Sequence, residues 1–171
     1  MLATALARAC AAIENLTGLQ VVAGRPQIGI DAEPALQPAL LRLALLSQGR
    51  GAIVVCAGKD AVTALAAGAV SAPLQAAESP GDVVLTAAEV LLRHALAAFN
   101  AALPGAQAPQ RVVRLAEGAL PARVAHYTLA GGISIDGRVA MLQWLLPASL
   151  LSQTVSTQQE WAPALDANAK Q

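Results

Sequence analysis

Few residues in this sequence combine the type and the spacing that protein chemistry requires. His94 falls in a predicted helix and His126 in a predicted strand, and neither has a second histidine four residues away or a Cys-x-x-Cys pair beside it. A metal site needs several such ligands that converge at a recognisable spacing. We therefore expect two ordinary histidines, with no bound metal and no other cofactor.

Ser134 is the serine whose setting is most similar to a hydrolase motif. The segment Gly132-Ile133-Ser134-Ile135-Asp136 lacks the second glycine of G-x-S-x-G, and it falls in a predicted hairpin instead of a strand-to-helix turn. The chain also lacks the G-x-G-x-x-G and P-loop patterns that cradle phosphates. These patterns predict neither a hydrolase nor a nucleotide-binding enzyme.

The remaining reactive side chains are isolated from one another. Asp31 and Glu33 would share one face of an extended segment, and a pair of this kind is more typical of a solvated turn than of an acid/base dyad. Cys10 and Cys56 each lie in apolar surroundings, which predicts two reduced, buried cysteines that behave as small hydrophobic residues. The sequence therefore predicts no catalytic residues.

The composition excludes several classes of function. The chain has 171 residues, 11 Lys+Arg against 11 Asp+Glu, 13% charged, 56% hydrophobic and 2% aromatic residues, and about a quarter of it is alanine. A nucleic-acid partner would require a basic surface and aromatic platforms, and both are lacking. The most apolar stretch, residues 52–72, is interrupted by Lys59 and Asp60, and residues 1–12 have no signal-peptide pattern. We expect a cytoplasmic protein without a membrane span.

Periodicity and breakers predict the elements that would hold these residues. A helical stripe covers 2–16 and ends at Gly18, a second helix covers 59–70, and a third covers about 87–103. Thr86 and Glu89 have the spacing of a capping box at the start of this third helix. Residues 19–23, 27–31, 52–57 and 111–115 are predicted strands, whereas the type of element at 39–46 is left open.

The last predicted element is a hairpin. Residues 123–129 and 139–146 would be its two strands, Asp136-Gly137 its turn, and Gly131-Gly132 a bulge or a bend in the incoming strand. Together these elements predict an α/β sandwich with a mostly antiparallel central sheet flanked by helices. Each half opens with a helix and continues into strands, which suggests a duplicated plan.

The order of these elements resembles the middle domain of the flagellar motor switch protein FliM, its type III secretion counterparts (the YscQ/SpaO/HrcQ group), and the wider CheC/CheX/FliM fold family. The resemblance depends on the Leu85-Thr86-Ala87-Ala88-Glu89 segment before a long helix and on residues 129–147, which carry the paired glycines and a closing proline. It implies a globular domain at 1–151 and a polar linker at 152–171 leading to a SpoA-type domain.

The resemblance also implies where partners would bind. The loop that contacts FliG in FliM has the pattern GGxG, and the corresponding segment here, Gly68-Ala69-Val70-Ser71, keeps one glycine. The acidic peptide through which FliM binds phosphorylated CheY has no counterpart before Leu2. Trp161, in the polar tail, is a second candidate contact.

Two alternatives to a scaffold follow from the same resemblance. CheC and CheX remove the phosphoryl group of phosphorylated CheY with an E-x-x-N pair on an exposed helix. Glu14 is adjacent to Asn15, and Glu89 has Leu92 three residues later, so neither position has that spacing. The second alternative is a small ligand-binding regulatory domain, for which the sequence offers no site.

We therefore expect a non-enzymatic, bacterial scaffold subunit of a flagellar motor switch or type III secretion cytoplasmic ring (C-ring). Its partners would be ring proteins of the FliG/FliN type or their secretion equivalents, together with further copies of itself, and it would bind no nucleic acid. A chain with few charges and many small side chains favours flat contacts between neighbouring subunits. The ring would lie at the inner face of the membrane.

Overall fold

Helices pack on one face of a single antiparallel sheet in the described part of the chain. The computed structural model describes residues 1–29, 39–47, 51–70, 81–103, 111–116 and 126–150. The helices are α1 (Leu2–Thr17), α2 (Lys59–Val70) and α3 (Asp82–Ala101). The strands are β1 (Val21–Ala23), β2 (Gln27–Gly29), β3 (Leu41–Ser47), β4 (Gly51–Ala57), β5 (Arg111–Arg114), β6 (His126–Ile135) and β7 (Arg138–Pro147).

The first helix follows its sequence pattern closely. Its apolar stripe faces the core, with Leu6 and Ile13 buried. Gly18 ends it in the left-handed conformation, φ 70°, and donates its backbone N–H to the carbonyl of Glu14 at 2.8 Å. Glycine adopts this conformation without a Cβ clash, so the predicted end of α1 is confirmed.

The predicted start of the third helix is wrong. α3 begins at Asp82, after Gly81, and Thr86 lies inside the helix with its hydroxyl donating to the Asp82 carbonyl at 2.8 Å. Val84 and Leu85 pack against the core, so an additional helical turn buries apolar surface that a start at residue 87 would leave out. Tertiary packing, and not the capping-box spacing of Thr86 and Glu89, therefore determines where α3 begins.

The predicted C-terminal hairpin is confirmed, including its turn. Asp136 and Gly137 both have positive φ, 48° and 81°, as a two-residue type I′ turn requires. The β6–β7 register runs unbroken from His126↔Pro147 to Ile135↔Arg138, so of the two alternatives expected at Gly131-Gly132, a bulge or a bend, this pair does not contain the bulge.

The extra residue lies instead in the neighbouring edge strand. β1 pairs with β6 from Val21↔Ile135 to Ala23↔Ile133, and β2 resumes at Gln27↔Ala130. Three residues, 24–26, therefore lie opposite two, Gly131 and Gly132. The Gly24 N–H donates to the Gly132 carbonyl at 2.7 Å, which holds the bulge against the sheet.

The sheet has an internal pseudo-two-fold arrangement. Its order is β1-β6-β7-β4-β3-β5, with β2 also paired to β6. Exchanging β1, β3 and β4 for β5, β6 and β7 converts this order into its own reverse. The same exchange relates α1 to α3, which pack against each other, so the duplicated plan suggested by the sequence is present in the topology.

The core lies between the helices and the sheet. Trp144 of β7 stacks on Phe99 of α3 with ring centroids 4.4 Å apart, and both side chains are buried, as expected for Trp144. The sequence left the type of element at 39–46 open, and the structure shows strand β3 there. Its residues Leu41, Leu43 and Leu45 point into this core. A second apolar cluster on the opposite face of the sheet contains Val54, Cys56 and Leu145 among others.

Candidate protein-interaction surface

The predicted partner loop at 68–71 is not a loop in its described part. Gly68, Ala69 and Val70 form the last turn of α2, whereas Ser71 and Trp161 lie outside the described residues. Gly68 is buried, and a Cβ built on it would lie 3.3 Å from the Leu19 side chain and 3.6 Å from that of Ile135. This glycine therefore serves close packing between α2 and the sheet, and a contact role for the segment stays a prediction.

A different surface is apolar and exposed. Three exposed apolar residues lie on the sheet face opposite the helices, near the turn of the β6–β7 hairpin. They are Val22 of β1 (51% exposed) and, on β7, Val139 (74%) and Met141 (60%). The register aligns Val22 with Ser134 and Ser134 with Val139, so these residues share one face of three neighbouring strands. We call Val22, Gly132, Val139 and Met141 the hairpin patch.

Glycine 132 makes the hairpin patch flat. A Cβ built on it would lie 3.5 Å from Sδ of Met141 and 3.8 Å from Cγ1 of Val139, so these two side chains flank the space that glycine leaves open. Asp136 and Arg138, at the turn, are exposed and give the patch a polar border. An apolar centre with a polar rim is typical of surfaces that bind other proteins.

The two long helices do not carry the E-x-x-N pair. Three residues after Glu14 comes Thr17, and three residues after Glu89 comes Leu92, which is buried. Three residues before Asn15 and Asn100 come Ala12 and Ala97. Asn100 is itself fully buried, and neither the nitrogen nor the oxygen of its amide group has a hydrogen-bond partner among the described residues.

Glu89 forms ion pairs with two arginines. Its carboxylate accepts from Nη2 of Arg93 at 2.7 Å and lies 3.6 Å from Nη1 of Arg114, and Arg93 also donates to the backbone carbonyl of Val112 at 3.0 Å. These contacts hold edge strand β5 against α3. The predicted helix-start role of Glu89 is therefore replaced by a link between helix and sheet.

The cysteines match the expectation of buried thiols. Cys10 and Cys56 are both unpaired and buried. Burial raises the pKa of Cys56 to about 11, an effect that the nearby Arg42 guanidinium only partly offsets. Burial and the Glu14 carboxylate raise the pKa of Cys10 as well. Neither thiol is activated as a nucleophile.

The described residues offer little else for chemistry. Within them, no three or more His, Cys, Asp or Glu side chains are grouped closely enough to hold a metal ion. His94 is exposed on α3, and Asp31 and Glu33 lie outside the described ranges. None of the described helices is both long and apolar enough to cross a membrane.

The sequence interpretation missed the hairpin patch, because the residues of β7 do not distinguish its two faces. Along β7, Val139 and Met141 alternate with Ala140 and Leu142, so all four look suitable for a buried strand. The pairing shows that Ala140 and Leu142 face the helices whereas Val139 and Met141 face outward and stay exposed. The outward positions are therefore defined by the packing of the helices on the sheet and not by the sequence of β7.

Comparisons with known proteins bear on the fold. No protein-family model matches the chain, and no curated protein matches it. The FliM middle domain from H. pylori superposes with a TM-score of 0.66 at 8% identity, over 90% of this chain and 91% of that one. FliY from Thermotoga maritima gives 0.68 at 12% identity, over 89% and 88%.

A chemotaxis protein has the same architecture. CheX from Desulfovibrio desulfuricans gives a TM-score of 0.53 at 11% identity, over 85% of this chain and 98% of that one. The antiparallel sheet, the flanking helices and the pseudo-two-fold order all agree with the α/β sandwich expected from the sequence. This chain therefore has the CheC/CheX/FliM fold.

Proposed function

We propose that this chain is a non-enzymatic structural subunit of a cytoplasmic ring of the flagellar motor switch or type III secretion kind. The hairpin patch is the observation that carries the proposal. Val139 and Met141 are the most exposed large apolar side chains of the described strands, and they lie side by side on a flat sheet surface. Burying them against a partner would stabilise a complex by the hydrophobic effect.

Solved neighbours show what proteins of this fold assemble with. One is a FliG–FliM complex from H. pylori and another a FliM–SpeE complex from the same organism. We propose a ring protein of the FliG or FliN type as the partner of the hairpin patch here. Further copies of the chain are the neighbours we propose within the ring.

The helices favour a scaffold over a phosphatase. Neither α1 (Leu2–Thr17) nor α3 (Asp82–Ala101) has a carboxylate and an amide three residues apart. Glu89 is already bound by two arginines, and Asn100 is buried, so these two side chains are not poised to act on a phosphoryl group.

The two functions can be separated in one experiment. The purified chain is immobilised and offered the FliG-type and FliN-type proteins encoded in the same genome, while a parallel sample is incubated with phosphorylated CheY. We expect retention of a ring protein and loss of acyl phosphate at the spontaneous rate. Faster loss of phosphate without retention of either ring protein would overturn the proposal.

A further inference from the structure

The two halves of the fold differ in the contacts between helix and edge strand. In the first half, this difference leaves a groove between α1 and β1. α1 and α3 bury side chains with the same spacing: Ala5, Leu6, Ala9, Cys10 and Ile13 in one, and Leu91, Leu92, Ala95, Leu96 and Phe99 in the other. Aligned in this way, Ala3 and Ala7 occupy the positions of Glu89 and Arg93.

In the second half, long side chains close the space between helix and edge strand. The Leu115 N–H donates to the Arg42 carbonyl, so the backbone groups of Val113 and Leu115 face β3 and those of Val112 face the open edge. The guanidinium of Arg93 donates to this outward Val112 carbonyl at 3.0 Å and is paired with Glu89. The outward carbonyl thus has a charged donor.

In the first half, the matching space is open. The Asp136 N–H donates to the Gln20 carbonyl and the Gly24 N–H to the Gly132 carbonyl, so Val21 and Ala23 point their backbone groups away from β6. Within the described ranges, no hydrogen bond uses these outward groups. A groove of about 340 Å³ runs between them and the alanine side of α1.

The walls of this groove define its occupant. Leu6 and Cys10 lie at its apolar base, Ala3 and Ala7 form one side, and Glu14 is the charged residue that lines it. Glu14 is exposed and makes no ion pair with any described residue. An occupant therefore needs backbone groups for the strand edge, apolar side chains for the base, and a cation for Glu14.

We propose that the α1–β1 groove binds an extended, apolar segment of a partner protein that carries a lysine or arginine beside Glu14. The segment adds to β1 as a further strand, so its backbone pairs with Val21 and Ala23 while alternate side chains enter the groove. The short edge, ended by Pro26, limits pairing to about three residues. This inference goes beyond the proposed function, because it concerns a surface on the helix side of the sheet.

The test introduces into α1 the glutamate and arginine side chains that close the corresponding space in the second half. Random linear eight-residue peptides are selected by phage display on the full chain, and the selected peptides are titrated by fluorescence anisotropy. We expect enriched peptides to combine apolar residues at alternate positions with a basic residue. The double variant Ala3→Glu plus Ala7→Arg should weaken binding at least tenfold while its circular dichroism stays unchanged.

Matched variants keep the result interpretable. Thr4→Glu places an acid four residues before Arg8 on an exposed part of α1 outside the groove, and it should leave binding unchanged. Glu14→Lys should weaken the basic peptides at least fivefold, which provides a second readout if the double variant folds poorly. On peptide binding, the Val21 and Ala23 amides should become protected from hydrogen exchange.

Three results would overturn the inference. One is no enriched peptide, and another is enriched peptides that the double variant and Glu14→Lys both bind as well as the original chain does. The third is a concentration-dependent dimer in sedimentation that the double variant converts to monomer, since the groove would then be a contact between copies. The double variant leaves the hairpin patch intact. Failure of peptide binding at the α1–β1 groove can therefore be distinguished from failure of ring-protein binding at the hairpin patch.

Discussion

Single side chains in this protein are used for packing. Cys56 is a useful example, because its thiol lies beside Arg42 on the sheet face opposite the helices and is nevertheless made less acidic by burial. Asn100 is another, since its side chain is polar but fully buried, with no hydrogen-bond partner in the described ranges. The burial of Cys56 leads to a prediction about its reactivity, and the burial of Asn100 to one about stability. Neither prediction depends on a binding partner.

Cys56 should react slowly with thiol reagents in the folded protein. With its pKa raised to about 11 from an ordinary 9.0, its thiolate fraction at pH 8 falls about 100-fold. In a Cys10→Ala background, labelling by a disulfide reagent should be at least that much slower than in urea, and faster as the pH rises towards 11. Equal rates in the folded and unfolded states would show that Cys56 is accessible and ionised.

Asn100→Leu should stabilise the fold. Asn100 is 0% exposed and no described residue forms a hydrogen bond with its amide atoms, so folding removes the hydration of these atoms without replacing it. An apolar residue of similar size should raise the free energy of unfolding by about 1 kcal/mol in urea titration. Asn15→Leu, at an exposed position of α1, is the matched control and should change little. A destabilised Asn100→Leu variant would mean that the amide does have a partner.

At the scale of the elements, the edge bulge between β1 and β2 depends on one glycine. A Cβ on Gly24 would lie 3.1 Å from the backbone carbonyl oxygen of Gly132, the same atom that accepts the Gly24 hydrogen bond. Backbone cannot rotate away as a flexible side chain can. The bulge, the edge strand and the α1–β1 groove are therefore coupled through this contact.

Gly24→Ala should destabilise the protein by about 1–2 kcal/mol, since β1 must shift to relieve the clash. Gly131→Ala is the matched control, because a Cβ there meets nothing within 4 Å. Thermal unfolding followed by circular dichroism should show a lower Tm for the first variant and no loss for the second. Equal Tm values for both variants would contradict the described contact.

Local patterns predicted the elements well where one signal dominated. The α2 boundaries, the end of α1 at Gly18 and the Asp136-Gly137 turn follow directly from periodicity and from residues that accept positive φ. The start of α3 could not be predicted from Thr86 and Glu89, because burial of Val84 and Leu85 decides it. The bulge, one of the two alternatives expected at Gly131-Gly132, lies in the neighbouring edge strand and could not be placed there from the sequence, because register between distant strands is a tertiary property.

At the scale of the whole molecule, the order of elements was enough to indicate the CheC/CheX/FliM fold, and the solved structures agree. The interaction surface could not be predicted in the same way. The segment at 68–71 was chosen by resemblance, whereas exposure of Val139 and Met141 depends on which face of the sheet the helices cover. Periodicity along one strand does not determine which face that is.

The measurement that tests the central proposal most directly is a calorimetric titration of this chain with the FliG-type and the FliN-type protein of the same genome, each in turn. We predict binding that Val139→Asp plus Met141→Asp weakens at least tenfold, because two charges would enter an apolar contact. Val83→Asp, at a 78% exposed site near the start of α3, should leave the affinity unchanged. Affinities that are equal for the original chain and both variants, or no binding by the original chain, would contradict the account.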